Sequence, residues 1–325
     1  MTSEILFLAL GFILLIAGGE FFVKGASRLA YTFKVSPLVI GLTVVAVGTS
    51  APEFTVAVRA AFSGHMDVSF GDIVGSNIFN VFFILGISSF IRPLQMPFMK
   101  FKNDMLWMLG YVALFILIAM DLKIQRWEAV VLLVLAFVYM FFCLRRGASQ
   151  CHLREEVQEE FTGPPGEYRR ASKLAVSITL LVAGGIFLIF GARYLLDGAV
   201  GIARHFGLSE IFIGLAIVAV GTSLPELVTS AVATFRGKGD IAVGNIIGSN
   251  IYNLYLVIGG AVSLAPQTID VPMQVLRFDL LFMFLTFSLW FGIMRKYKIL
   301  ERKFGLFFLG IYGFYLLLQV NLFQK

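Results

Sequence analysis

Two glutamates lie deep inside long apolar stretches, where a charged side chain is least expected. Glu53 and Glu226 are each directly preceded by a proline. An ionised carboxylate in hydrocarbon costs about 3 kcal/mol or more unless it is paired or bound to a metal ion. Each proline removes a backbone N–H and collides with the preceding turn, so we expect helix breaks around residues 49–52 and 222–225, which free carbonyl oxygens as ligands. This pattern predicts a buried cation site with two carboxylates.

Oxygen-bearing side chains accompany both glutamates. The hydroxyl side chains just before them are Thr49, Ser50, Thr222 and Ser223. Two further motifs, GSNIFN and GSNIYN, contribute Ser76, Asn80, Ser249 and Asn253. In both motifs the serine and the last asparagine are one helical turn apart, so they face the same side of a helix. Ca²⁺ takes about six to eight oxygen ligands, and Na⁺ also prefers hydroxyl and carbonyl oxygens, so this set suits a hard cation.

The motifs occur twice at one spacing. GLTVVAVGTS at Gly41–Ser50 returns as GLAIVAVGTS at Gly214–Ser223, an offset of 173 residues, and GTSAPE returns as GTSLPE at the same offset. GSNIFN and GSNIYN share it too. These near-identities indicate duplicated halves. The first helices correspond more weakly, for example through Gly18 and Gly184, at an offset of 166, which implies that the loop afterward has absorbed seven residues.

The composition is that of a polytopic membrane protein. Of the 325 residues, 58% are hydrophobic and 14% are charged, whereas a soluble domain carries about 25% charged residues. The net charge of +6 comes from short clusters between apolar runs, which favours a lipid bilayer and no nucleic acid as the partner. Runs able to cross about 30 Å of hydrocarbon predict ten transmembrane helices near residues 4–23, 37–62, 68–90, 104–121, 127–144, 173–196, 209–235, 241–263, 277–294 and 303–321.

The ten spans divide into two sets of five. Residues 1–144 form the first half, 145–172 a linker and 173–325 the second half. An odd number of crossings makes the second half enter the membrane from the opposite side. The predicted fold is therefore all-α, with ten transmembrane helices arranged as two inverted five-helix repeats. Such repeats are typical of transporters with a substrate site at the midplane.

Basic residues between the spans predict the orientation. With the N-terminus outside, most lysines and arginines fall on the cytoplasmic side, as the positive-inside rule requires. The exceptions are Arg59, Lys123, Arg126, Arg193, Arg204, Arg277 and Lys325. We therefore expect an inner (plasma) membrane protein with both termini outside and a cytoplasmic linker. The sequence contains no signal that sets an oligomeric state.

The paired motifs resemble a known family. GTSAPE with GDIVGSNIFN, and GTSLPE with GNIIGSNIYN, are similar to the two alpha repeats of the calcium/cation antiporter superfamily, specifically its bacterial sodium/calcium exchangers. The likeness spans both halves. It implies an antiporter that exchanges Ca²⁺ for Na⁺ by alternating access, with four central helices around a diamond of ion sites and the first helix of each half sliding across them.

The resemblance also implies roles by motif position. Glu53 and Glu226 would bridge the sites, with Thr49 and Thr222 joining them around Ca²⁺. Two flanking Na⁺ sites would be completed by Ser50 with Ser76 and by Ser223 with Ser249. Backbone carbonyls would come from Ala46 and Ala219, and the centre would be closed by Asn80 and Asn253.

The charge of these motif residues leaves the coupling open. Some exchangers have an acid at the last position of the second GSN motif, whereas Asn80 and Asn253 are both neutral here. The predicted site therefore carries two formal negative charges, which one Ca²⁺ or two Na⁺ would neutralise. A third Na⁺ would add an uncompensated charge in low-dielectric surroundings, where it is costly.

Other functions are weighed against this one. A Ca²⁺/H⁺ or other cation/H⁺ antiporter and a K⁺-coupled exchanger remain alternatives, although His65, His152 and His205 all lie near loops rather than beside the motifs. An enzyme is not expected, because the sequence has no GxSxG or HExxH motif. A channel is disfavoured because channels repeat around the pore axis. We expect no cofactor, with Ca²⁺ and Na⁺ binding as transported substrates.

Overall fold

The computed structural model describes five stretches of the chain. They are residues 2–64, 66–149, 170–206, 219–265 and 268–323. Residues 150–169 of the predicted linker and 209–218 of the seventh predicted span lie outside them, as do His65 and His152. The described residues are almost entirely helical.

The helices are labelled α1 to α12 in chain order. Their bounds are α1 Thr2–Phe33, α2 Pro37–Thr49, α3 Ala51–Ser63, α4 Met66–Phe79 continued in Leu85–Ile91, α5 Phe98–Ile118, α6 Arg126–Ser149, α7 Arg170–His205, α8 Ala219–Gly221, α9 Leu224–Phe235, α10 Gly239–Leu264, α11 Leu280–Lys296 and α12 Arg302–Phe323. A 3₁₀ turn extends α5 at Ala119–Asp121, and π-helical turns lie at Gly41–Val45, Asn80–Ile84, Asn253–Ile258 and Val275–Asp279. Two-residue strands pair antiparallel, β1 Leu94–Gln95 with β4 Ile299–Leu300 and β2 Lys123–Ile124 with β3 Ile269–Asp270.

These helices confirm an all-helical, polytopic membrane protein. The described residues contain 7 helices long and apolar enough to span a membrane, or 8 if the bent pair α2 and α3 is one span. The predicted span at 303–321 coincides with α12, which has 22 residues. The predicted span at 209–235 is described only from Ala219 onward, as α8 and α9. The count of ten spans stays a prediction.

The predicted breaks beside both glutamates are confirmed. The axes of α2 and α3 differ by 44° across Ser50, whose φ of −81° and ψ of 7° are not helical. Ser223 has nearly the same conformation before α9, with φ −88° and ψ 7°. A proline follows in the first two positions of both new helices, where its missing N–H would be unpaired in any case. Each proline thus starts a new helix, and each glutamate lies in its first turn.

The helices α1 and α7 pack antiparallel with their backbones touching at glycines. A Cβ added at Gly18 would lie 2.8 Å from the backbone N of Leu188. A Cβ added at Gly191 would lie 2.8 Å from the backbone N of Leu15. Such close approach is typical of small residues at helix contacts in membranes.

These two contacts do not decide the alignment of the first helices. Adding 173 to Gly18 and Leu15 gives Gly191 and Leu188, so each contact is the counterpart of the other at the offset of the motifs. Adding 166 to Gly18 and Phe22 gives Gly184 and Leu188, and a Cβ added at Gly184 would lie 2.6 Å from the backbone N of Phe22, so the offset of 166 stays a prediction. The glycines recur every seven residues, so a slip of seven still aligns glycine with glycine. They are Gly11, Gly18 and Gly25 in α1 and Gly184, Gly191 and Gly198 in α7.

Burial places the centre of the molecule between α4 and α10. In the most apolar part of α10, 94% of the residues are buried, and in α4 78% are buried, against 22% in α7. The loops of the α2–α3 and α8–α9 breaks contact these central helices, α2 lying against α10 and α8 against α4. The glutamates that follow the breaks are thereby brought to the middle of the helix assembly.

Candidate functional site

The two glutamates are held by serines from the opposite half of the chain. The hydroxyl of Ser50 donates to Oε1 of Glu226 at 3.1 Å, and that of Ser223 donates to Oε1 of Glu53 at 3.4 Å. Both glutamates are only 1% exposed. Among the described residues, Oε2 of each has no hydrogen-bond partner. Each carboxylate therefore keeps one buried oxygen that a cation can bind, and the helix N-terminus at which it lies favours its negative charge.

The threonines predicted to join the glutamates contact residues that the sequence analysis missed. Thr49 Oγ1 donates to Asn245 Oδ1 at 3.0 Å, and Thr222 Oγ1 donates to Asp72 Oδ1 at 3.1 Å. The signal that could have found this second pair was present, because Asp72 and Asn245 share the 173 offset. Both also lie one helical turn before a motif serine.

Asp72 corrects the predicted charge of the site. The motif glutamates do not carry all of its negative charge, because Asp72 reaches Thr222, which directly precedes Ser223. The sequence analysis compared only the hydroxyl and amide positions of the motifs and so passed over a carboxylate inside GDIVGSN.

The serines of the GSN motifs are brought to the breaks, but not in the implied pairs. Ser223 Oγ donates to Ser76 Oγ at 2.8 Å. Ser249 Oγ lies 3.4 Å from Thr49 Oγ1. The resemblance had placed Ser76 with Ser50 and Ser249 with Ser223. The structure differs because α4 packs against the α8–α9 break, whereas α10 packs against the α2–α3 break.

The motif asparagines lie at the centre, where each begins a π-helical turn. Asn80 and Asn253 are both fully buried. Asn253 Nδ2 donates to Asn77 Oδ1 at 3.2 Å, and Asn77 Nδ2 donates to the carbonyl of Asn250 at 3.1 Å. Among the described residues, neither side-chain atom of Asn80 has a partner, and Oδ1 of Asn253 has none. Asn77 links the two halves and was not predicted.

The predicted carbonyl ligands lie in the short segments before the breaks. The carbonyl of Ala46 accepts from the backbone N of Ser50 at 3.0 Å and from Thr49 Oγ1 at 3.3 Å. A second lone pair on that oxygen would be needed for a cation. Ala219 begins α8, beside the residues that the structure does not describe. Their part in ion binding stays a prediction.

The unpaired buried atoms define what this site can do. They include carboxylate and amide oxygens from Glu53, Glu226, Asp72, Asn80 and Asn253. Buried polar atoms without partners are rare, because each carries a desolvation cost. A set of ligands made of oxygens, without nitrogen or sulfur, suits alkali and alkaline-earth cations. The geometry defines a membrane protein with a buried cluster of open oxygens, a ligand type that suits hard cations.

Comparison with known proteins gives the family. The model of the family described as "Sodium/calcium exchanger protein" matches residues 3–145 and 176–321. The chain belongs to this family, and it is a membrane antiporter of cations. All of the candidate site residues fall within the two matched ranges.

Relatives and a solved structure agree in length as well as in sequence. Sodium/calcium exchanger MaX1 of Methanosarcina acetivorans is 30% identical over 288 residues, covering 80% of this chain and 82% of that protein. Inner membrane protein YrbG of Escherichia coli is 34% identical over 265 residues, covering 81% and 80%. The structure of the sodium/calcium exchanger from Methanococcus jannaschii superposes with a TM-score of 0.81 at 31% identity, covering 96% of this chain and 97% of that one.

Proposed function

We propose that this protein is a secondary active antiporter that exchanges Ca²⁺ for Na⁺ across the membrane by alternating access. The observation that carries the proposal is the crossed pairing of Ser50 with Glu226 and of Ser223 with Glu53. Each carboxylate is held by the half of the chain that does not contain it. A cation that binds both glutamates therefore joins the two halves, and its release allows them to move relative to each other.

The roles of the site residues follow from this arrangement. Ca²⁺ binds between Glu53 and Glu226 with the hydroxyls of Thr49 and Thr222, and one divalent ion neutralises the two carboxylates. Na⁺ binds on either flank. One flank contains Ser76 and Ser223, and the other contains Ser50 and Ser249. Ala46 and Ala219 supply backbone carbonyls, and Asn80 and Asn253 line the centre between the glutamates.

We propose ten spans arranged as two inverted five-helix repeats in the inner membrane. The glycine contacts of α1 with α7, which match from one helix to the other, support two equivalent halves. The distribution of lysine and arginine supports termini on the outside and a cytoplasmic linker at residues 145–172. The name of the Escherichia coli relative, an inner membrane protein, agrees with this location.

Proton or potassium coupling is the second candidate. Both glutamates are buried without a basic partner among the described ion pairs, so protons could replace Ca²⁺ on them. One relative, 26% identical over 272 residues, is named vacuolar calcium ion transporter of Schizosaccharomyces pombe, and another, 33% identical over 125 residues, is named sodium/potassium/calcium exchanger 2 of Gallus gallus.

Gradient-driven uptake decides between these couplings. Proteoliposomes are loaded with Na⁺, with K⁺ or with acidic buffer, diluted into medium without that ion, and assayed for ⁴⁵Ca²⁺ uptake. We expect the outward Na⁺ gradient alone to drive Ca²⁺ inward. Liposomes with the Glu53→Gln/Glu226→Gln double variant control for leak. Uptake driven by the acid or K⁺ gradient, with none from Na⁺, would overturn sodium coupling.

A further inference from the structure

The two halves of the site differ in charge at one matched position. Asp72 accepts a hydrogen bond from Thr222 at 3.1 Å, and Asn245, its counterpart at the 173 offset, accepts one from Thr49 at 3.0 Å. The geometry is the same on both flanks. One flank therefore holds a carboxylate where the other holds a neutral amide.

The second polar atoms of Asn245 and Asp72 differ in their hydrogen bonding. Asn245 Nδ2 donates to Ser230 Oγ at 3.0 Å, so the amide is paired at both ends. The counterpart of Ser230 is Ala57, which is fully buried and offers no hydroxyl. Among the described residues, Asp72 Oδ2 is buried without a hydrogen-bond partner. The first half thus has a carboxylate oxygen without a hydrogen bond at the position where the second half has an amide that is fully hydrogen-bonded.

Further oxygens lie on the same face of α4. Ser69 precedes Asp72 by three residues and Ser76 follows it by four, so the three side chains form one stripe. Ser69 is 1% exposed, and its hydroxyl also has no partner among the described residues. Its counterpart in α10 is Ala242. The stripe ends at Asn80, another buried side chain without a partner. The matching face of α10 carries Asn245, Ser249 and Asn253, so it has neither the carboxylate nor the additional hydroxyl of α4.

The nearby charges leave Asp72 uncompensated. None of the ion pairs between described residues includes Asp72, Glu53 or Glu226. In the described part of the chain, no three His, Cys, Asp or Glu side chains are close enough to hold one metal ion. The open oxygen of Asp72, beside its bond to Thr222, therefore points to a position on the Thr222 flank that is separate from the pair of glutamates.

We propose that Asp72 and Thr222 bind a further monovalent cation, so that the site carries three carboxylates and its two flanks are unequal. This inference rests on the proposed exchange and extends it. With Asp72 included, three Na⁺ are balanced by three negative charges, whereas the two glutamates alone would leave one positive charge in the low-dielectric centre. Asp72 is thus the residue that accommodates a third coupling ion.

Two measurements on Asp72→Asn test this directly. Equilibrium binding of ²²Na⁺ to purified protein is expected to fall by one ion per chain. In proteoliposomes, a K⁺ diffusion potential is imposed and the equilibrium Ca²⁺ ratio is measured at a fixed Na⁺ gradient. With one net charge per cycle, a change of roughly 60 mV shifts that ratio about tenfold. We expect this shift in the wild type and none in Asp72→Asn.

Matched variants make the outcome decisive. Asp279→Asn makes the same change at a buried carboxylate that accepts from Gln319 at 2.7 Å, outside the candidate site, and is expected to keep the wild-type Na⁺ count and voltage shift. Asp72→Glu is expected to restore the bound Na⁺. An unchanged ²²Na⁺ count in Asp72→Asn would overturn the inference even if that variant does not transport. Absence of Na⁺-driven uptake in the wild type would instead contradict the proposed function, and the binding count would still decide the role of Asp72.

Discussion

The two flanks of the ion site share a scaffold and differ in chemistry. On one flank Thr49, Asn245 and Ser230 form a closed chain of neutral hydrogen bonds. On the other, Thr222 donates to Asp72, whose second oxygen is open. The matched positions differ at two pairs, Asp72 with Asn245 and Ala57 with Ser230, so one flank is neutral and the other anionic. In the proposed exchanger the two halves are therefore not interchangeable.

The centre of the site shows a second inequality. Asn253 donates to Asn77 from the other half, whereas Asn80, the counterpart of Asn253, has no partner among the described residues. At these two matched positions, α4 leaves more side-chain atoms without a partner than α10 does, although Oδ1 of Asn253 is also unpartnered among the described residues.

The two glutamates occupy matched positions, so replacing either one is expected to have the same effect. These replacements give the largest expected effect. Glu53→Gln and Glu226→Gln should each reduce Na⁺-driven ⁴⁵Ca²⁺ uptake by about 100-fold or more, because a buried neutral amide attracts a cation far less than a carboxylate. Glu20→Gln, at a partly exposed residue paired with Arg236, is the control and should keep uptake. Normal uptake by either site variant would falsify their equivalence.

The α1–α7 contact provides a symmetric reference for the comparison. Gly18→Val and Gly191→Val should destabilise the protein equally, by about 2 kcal/mol each, because either side chain would collide with backbone 2.8 Å away. Thermal unfolding in detergent measures this. Gly292→Val is the matched control, since no atom lies within 4 Å of a Cβ there. Clearly unequal losses at Gly18 and Gly191 would argue against the equivalence of α1 and α7.

The threonines test the flanks themselves. Thr222→Val should raise the half-saturating Na⁺ concentration about tenfold and Thr49→Val about threefold, because a hydrogen bond to a charged group contributes more than one to an amide. Half-saturation is read from Na⁺-dependent ⁴⁵Ca²⁺ uptake. Thr55→Val, at an exposed threonine that donates to its own helix at 3.0 Å, should leave it unchanged. An equal or reversed order would remove the evidence for unequal flanks.

The smallest expected effect comes from giving the anionic flank a serine at the position where the neutral flank has Ser230. Ala57→Ser should give Asp72 the hydroxyl that Ser230 gives Asn245, stabilising the fold by about 1 kcal/mol and weakening Na⁺ binding a few-fold. Thermal unfolding and ²²Na⁺ binding report the two effects. Ala61→Ser, one turn later on the same helix and equally buried, is the control. Tighter Na⁺ binding in Ala57→Ser would contradict an open oxygen at Asp72.

Much of the fold and site was predictable because the signals are local. Glu53 and Glu226 stand out because they lie within apolar sequence. The prolines before them break the helix, because proline removes a backbone hydrogen bond and collides with the preceding turn. Composition alone indicated the membrane class. The sequence did not fix a single alignment of the first helices, because glycines spaced by seven match at more than one offset. The contact of Ser76 with Ser223 was not predicted, because sequence position does not show which break α4 will contact.

The sequence by itself determined the membrane class, the two broken helices, the paired carboxylates and the family. These depend on the cost of a charge in hydrocarbon and on the covalent constraint of proline, which act on immediate neighbours. Only the tertiary structure decided that Ser50 holds Glu226, that Ser223 holds Glu53 and that Asp72 joins the site through Thr222. The partners in these bonds are about 150 residues or more apart in the chain, and only the crossing of packed helices brings their side chains within hydrogen-bond distance.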